Sequence, residues 1–124
     1  MTKRLFLGAC AAALMFATCL FAADATPKTV IHVISIKWKA DATPAQIDKA
    51  IKGAEALPSE YPGITHVWTK PIKKQLPEGY SHVIVMEFAS EDALAKYAGS
   101  AAQKKWYEIY MSIREESRTS DITN

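Results

Sequence analysis

The chain has 124 residues, with 15 Lys and Arg against 13 Asp and Glu and a formal net charge of +2. That length is one small domain and leaves no room for a two-lobed cofactor enzyme. A hydrophobic fraction of 49% belongs to a globular protein rather than a disordered chain. A charge so near zero gives no electrostatic footprint for nucleic acid.

Met1 to Ala25 has the form of a secretory signal peptide. Lys3 and Arg4 make a positive n-region, Leu5 to Ala22 is an uncharged apolar run, and Ala23-Asp24-Ala25 supplies small residues at the cleavage positions. The chain therefore divides into a signal, 1–25, and a domain, 26–124. Cleavage after Ala25 would send the domain to the periplasm or the medium, with no membrane attachment left. Both cysteines, Cys10 and Cys19, fall in the signal. The domain then has no thiol for a disulfide, a nucleophile or a zinc ligand.

Val30 to Trp38 alternates as a strand. Val30, His32, Ile34, Ile36 and Trp38 share one face; Ile31, Val33, Ser35 and Lys37 share the other. Thr43-Pro44-Ala45-Gln46 opens a helix through a capping box with proline at the first position. Ile47, Ala50, Ile51, Ala54 and Leu57 form its apolar stripe, and Pro58 and Pro62-Gly63 are expected to stop it. Ile64 to Thr69 is a second strand, stopped by Pro71, with Val67 placed on the face of Ile31 and Val33. A third strand runs from Tyr80 to Phe88. Tyr80, His82, Ile84, Met86 and Phe88 alternate with Ser81, Val83, Val85 and Glu87. Ser90 caps a short helix to Tyr97, and Gly99 suits its end. Ser100 and Gln103 form a second capping box, opening a helix to about Glu115. Ser117 to Ile122 reads as a polar fourth strand.

This order is the split βαβ pattern of a ferredoxin-like α+β domain, an antiparallel sheet with helices on one face. The first and third strands are apolar on both faces, as central strands are. The uncovered face would present Ile31, Val33, Val83 and Val85. An open apolar face of that kind predicts a homodimer with two sheets packed together, a dimeric α/β barrel.

The segments His32 to Trp38, Leu57-Pro58, Pro62-Gly63-Ile64, Glu78 to His82 and Met86 to Leu94, with Tyr97, together resemble the stress-responsive A/B-barrel (Dabb) family. The resemblance runs from Val30 to Ile122. It implies a dimeric α+β barrel whose C-terminal strand helps to lock the dimer, and it implies little about reaction. A polyketide cyclase branch of the family works without metal or cofactor. There a tyrosine and a histidine of the second-helix segment form the acid–base pair, and two strand histidines line the pocket. By position Tyr97 matches the tyrosine, and His32 and His82 match the strand histidines. The catalytic histidine falls at Gln103, which has no proton to exchange near neutral pH.

The candidate catalytic residues are therefore Tyr97, His32 and His82. Ile34, Ile36, Ile84, Met86, Trp106 and Tyr110 are expected to wall an apolar ligand pocket, for which roughly 300 Å³ between sheet and helices is the benchmark. If the first and third strands are antiparallel and matched, His32 and His82 stand roughly 13 Å apart at ~3.4 Å per residue. They could not share a metal ion, and neither a metal nor a cofactor is expected. His66 and the Lys70, Lys73, Lys74 group read as solvated. The leading expectation is an exported dimer that binds a small apolar or aromatic molecule. The alternative is a cofactor-free cyclase- or isomerase-type enzyme using Tyr97 with His32 or His82. A third reading is a purely structural stress-linked dimer with a collapsed pocket.

Overall fold

The computed structural model describes residues 28–74 and 76–123; the signal-peptide reading at 1–25 lies outside them. The elements are β1 (Val30–Trp38), α1 (Pro44–Glu60), β2 (Ile64–Pro71), β3 (His82–Phe88), α2 (Glu91–Tyr97), α3 (Ala101–Ile113) and β4 (Arg114–Thr123). The strands form one antiparallel sheet in the order β2-β3-β1-β4. This is the ferredoxin-like α+β arrangement, with the doubly apolar strands β1 and β3 at its centre. No helix among the described residues is long and apolar enough to cross a membrane.

Local chemistry sets the helix ends. The Thr43 N–H donates to Gln46 Oε1 at 2.9 Å, and the Gln46 N–H donates to Thr43 Oγ1 at 3.2 Å, which closes the capping box of α1. Pro58 does not stop this helix. It sits in the last turn, where its missing N–H forfeits one bond, and the Tyr61 N–H then closes the helix on the Leu57 carbonyl at 2.8 Å. Within α1, a Cβ at Gly53 would lie 3.0 Å from Trp106 Cδ1, so glycine is what admits the close approach of α3. Ser90 caps α2, and Gly99 follows it with φ +78°. Ser100 Oγ accepts the Gln103 N–H at 3.2 Å, but the second capping box does not close on Ser100. The Ser100 N–H is already held by the Tyr97 carbonyl at 3.0 Å, so Gln103 Oε1 takes the Gly99 N–H instead, at 2.6 Å.

The helices cover one sheet face. Val30, Ile34, Ile36, Ile84, Met86 and Phe88 meet Ala50, Ala54 and Leu57 of α1 and Tyr97, Trp106, Tyr110 and Ile113 of α2 and α3.

Two bulges change which residues face which way. In β2 the register passes from Ile64 opposite Phe88 to His66 opposite Glu87, which leaves Thr65 over. Val67 therefore packs against the core, not on the open face, and Trp68 takes the open side. In β4 the register passes from Trp38 opposite Arg114 to Lys37 opposite Glu116, which leaves Glu115 over. The long helix thus ends at Ile113 rather than Glu115, and β4 starts at Arg114, ahead of the expected Ser117.

Tyr80 is also displaced from its expected face. It precedes β3 and is buried apart from the helix-side core, with the Arg118 guanidinium 4.7 Å from its ring centroid. The open face carries half-buried Ile31, Val33, Val83 and Val85 beside exposed Trp68 and Ile122.

Candidate functional site

A cavity of about 200 Å³ lies between the β1–β4 pair and the helices α2 and α3. His32, Ile34, Tyr97, Gln103, Tyr110 and Arg114 are among the residues that line it. Alternation along β1 turns His32 to the helix side, where its ring meets Phe88 edge-on at 5.9 Å. Tyr97, the last residue of α2, packs on the same Phe88 at 5.3 Å. The structure thus brings His32 and Tyr97 to one cavity.

Asp121 was not foreseen as part of this group. It is the register partner of His32 across the β1–β4 ladder, and its Oδ1 lies 2.5 Å from His32 Nδ1. A carboxylate oxygen accepts, so Nδ1 is the donor in this contact. The His32 side chain is 17% exposed and that of Asp121 47%. Only the pairing of the two strands could have signalled Asp121, because nothing in its neighbourhood of sequence marks it.

Tyr97 is 3% exposed, and its hydroxyl has no hydrogen-bond partner among the described residues. Burial, with a smaller push from Tyr107, holds its pKa far above the usual tyrosine range. At neutral pH it is a hydrogen-bond donor and not a base. Tyr110 is 2% exposed and its hydroxyl is likewise unpartnered. Burial raises its pKa too, while the neighbouring Ser117 and Arg114 pull against that rise. Gln103 lines the cavity with its amide engaged: Oε1 holds Gly99, and Nε2 donates to the Tyr107 hydroxyl at 3.2 Å.

His82 is not in this cavity. It stands opposite Ile36, whereas His32 stands opposite Met86, four residues along the ladder. That separates them by roughly 14 Å along the strands. Its Nδ1 accepts the Trp38 indole N–H at 2.9 Å, and burial lowers its pKa. It borders a different groove, of about 390 Å³, with Ile47 and Ile51 of α1 and Thr69 and Pro71 of β2. A pairing of Tyr97 with His82 is excluded by this placement.

The expected pocket wall is also only partly present. Ile34 and Tyr110 line the cavity; Ile36, Ile84, Met86 and Trp106 belong to the closed core. The reason is Trp106, which stacks on Tyr110 and donates its indole N–H to the Ala50 carbonyl at 2.9 Å. It fills the space that a larger pocket would need, and the cavity stays below the ~300 Å³ benchmark. His66 is exposed, paired with Glu87 at 2.8 Å and stacked on Trp68. Among the described residues no three His, Cys, Asp or Glu side chains are grouped to hold a metal ion.

The chain is 29% identical over 96 residues to olivetolic acid cyclase of Cannabis sativa, across 76% of this chain and 95% of that protein. Its structure matches hydroxynitrile lyase from Passiflora edulis with a TM-score of 0.72 at 16% identity, covering 79% of this chain and 94% of the other. It matches a dimeric ferredoxin-like protein of unknown function from Thermobifida fusca with a TM-score of 0.68 at 15% identity, covering 80% and 93%. These two likenesses are of fold. The model of the Stress responsive A/B Barrel Domain matches residues 30–124. With that match over most of its length, the chain belongs to the stress responsive A/B barrel domain family.

Proposed function

We propose that the protein binds a small, largely apolar or aromatic molecule in the cavity between β1, β4, α2 and α3, as one half of an exported homodimer. The observation that carries the binding reading is the pair of buried hydroxyls, Tyr97 and Tyr110, which line that cavity without a partner among the described residues. An unsatisfied buried hydroxyl costs about 1–3 kcal/mol, which a polar atom of a ligand offsets. The size is also informative. An apolar cavity of about 150 Å³ admits benzene, so about 200 Å³ accommodates a single ring with a small substituent. The dimer rests on the open apolar face, and the dimeric neighbour of the same fold supports it. Export rests on the composition of Met1 to Ala25.

A second reading is cofactor-free proton transfer, and the His32–Asp121 pair favours it. Asp121 orients the imidazole, Nε2 takes a proton from the bound molecule, and Tyr97 donates a hydrogen bond to the oxygen where charge develops. The cyclase relative lends support through its name alone. Gln103 removes the histidine of the family pair, so His32 would have to carry the base role.

Native mass spectrometry of the purified protein against a library of single-ring compounds tests the first reading. A bound ring-sized compound is expected. A library in which none binds overturns it. Turnover of a bound compound by wild type, abolished in His32→Asn, is the outcome expected under the second reading. Unchanged turnover in that variant removes His32 from the chemistry.

A further inference from the structure

We infer that the ligand of the β1–β4 cavity carries an anionic oxygen group, of the carboxylate or enolate kind, held by Arg114 with Tyr97 and Tyr110. This rests on the binding reading above and specifies its ligand.

The argument is an accounting of donors and acceptors. Three polar atoms of the cavity lining are buried without a partner among the described residues: Tyr97 Oη, Tyr110 Oη and Arg114 Nε. The two hydroxyls stay protonated at neutral pH because burial raises both pKa values. All three groups therefore have a hydrogen to donate. Three acceptors nearby are already engaged. Gln103 Oε1 takes the Gly99 N–H, Ser117 Oγ takes Arg114 Nη1 at 3.0 Å, and Asp121 is held on His32. Around Arg114, what the cavity offers a ligand is donors, so a ligand group seated there must supply acceptors.

Charge narrows the class. Arg114 is half-buried, and among the described residues no carboxylate pairs with it. Its guanidinium lies 5.7 Å from the Tyr110 ring centroid, which leaves the charge short of a counterion. A partly buried cation without an anion is costly, and a planar guanidinium matches a planar oxyanion.

The backbone points the same way. The extra residue Glu115 changes the phase of β4 between Arg114 and Glu116. Because of it, Arg114 and Ser117 both line the cavity, which plain alternation would not allow. Bulges are used beside sites in this way, to re-aim a side chain.

Benzoate and nitrobenzene are the probes, because they share shape and differ in charge. Titrated into the purified protein by NMR, benzoate is expected to bind at least about tenfold more tightly than nitrobenzene. In Arg114→Gln the preference should vanish, the two probes then binding within about twofold of each other. Equal affinities in wild type, or a benzoate preference that survives Arg114→Gln, overturn the anion inference and leave the binding reading standing. Failure of both probes to bind overturns the binding reading itself. If Arg114→Gln does not fold, the wild-type ratio alone decides the matter.

Discussion

Trp106 lies flat on Tyr110, with ring centroids 4.4 Å apart and planes 9° from parallel. The stack sets the size of the cavity, since Tyr110 is in its wall and Trp106 stands directly behind. Gly53 makes room for the indole on the other side, and the Ala50 carbonyl fixes its orientation.

Trp106→Ala is expected to cost about 3–5 kcal/mol, the usual penalty for emptying a large aromatic from a core. It should also enlarge the site so that two-ring carboxylates such as 1-naphthoate bind where wild type excludes them. Urea unfolding and the same NMR titration read the two effects. A variant that loses stability and gains no ligand size would show that the core collapses into the vacated space.

Tyr97→Phe should leave stability unchanged or raise it by about 1 kcal/mol, because it deletes a buried hydroxyl that has no partner. Thermal unfolding of the ligand-free protein checks this. A clear loss of stability would mean that the hydroxyl is already bonded. Under the proton-transfer reading the same variant also loses turnover.

The parts of this fold that were legible in the sequence are those decided by neighbours along the chain. Period-two alternation marked β1, and Thr43 with Gln46 marked the start of α1, because both rules act within four residues. The central placement of β1 and β3 followed from their two apolar faces. What escaped was set by pairing at a distance. The bulges at Thr65 and Glu115 depend on the partner strand, so the sequence alone puts Val67 on the wrong face and reads Arg114 as helical. His32 and Tyr97 could be placed on the helix side of β1 and at the end of α2, but Asp121, 89 residues from His32, could not be placed beside them. Trp106 was legible as an apolar wall residue; only the stack showed that it closes the space instead of bordering it.

Stability should fall as the pH drops through about 6.5. Burial holds the His82 pKa below its ordinary value of 6.5, so below that pH the unfolded chain binds a proton that the folded chain refuses. The contribution is complete above 6.5 and is lost on going down. Protonation at Nδ1 also breaks the bond from Trp38, so indole fluorescence should follow the same transition. Glu87 acts in a separate window. Hydrogen bonds from Thr65 and His66 lower its pKa, and its contribution disappears below about 4.5. In His82→Asn the slope between pH 7 and 5.5 should flatten; an unchanged slope would assign it elsewhere.

Val85→Asp should give monomers or insoluble protein. Val85 pairs with Val33 on one side and Trp68 on the other, in the middle of the open face. A carboxylate placed there would be buried unpaired between two sheets. Light scattering gives the mass directly, and a stable wild-type monomer would remove the dimer proposal.

Protein recovered outside the cytoplasm should begin at Thr26 on N-terminal sequencing. Cytosolic material that starts at Met1 would contradict export.

The single surplus residue in β2 separates two selections that a regular strand would couple. Ahead of Thr65, Ile64 shares the core face with Phe88; beyond it, odd-numbered Val67 faces the core and even-numbered Trp68 faces outward. Deleting Thr65 would not merely shorten the strand. It would also remove the bulge: Ile64, Val67 and Thr69 would then alternate with His66 and Trp68 as a regular strand, with the same residues facing the core. Thr65 is therefore the one position in β2 where the edge strand can lose a residue and keep both of its faces, whereas a loss anywhere from His66 to Thr69 would exchange them.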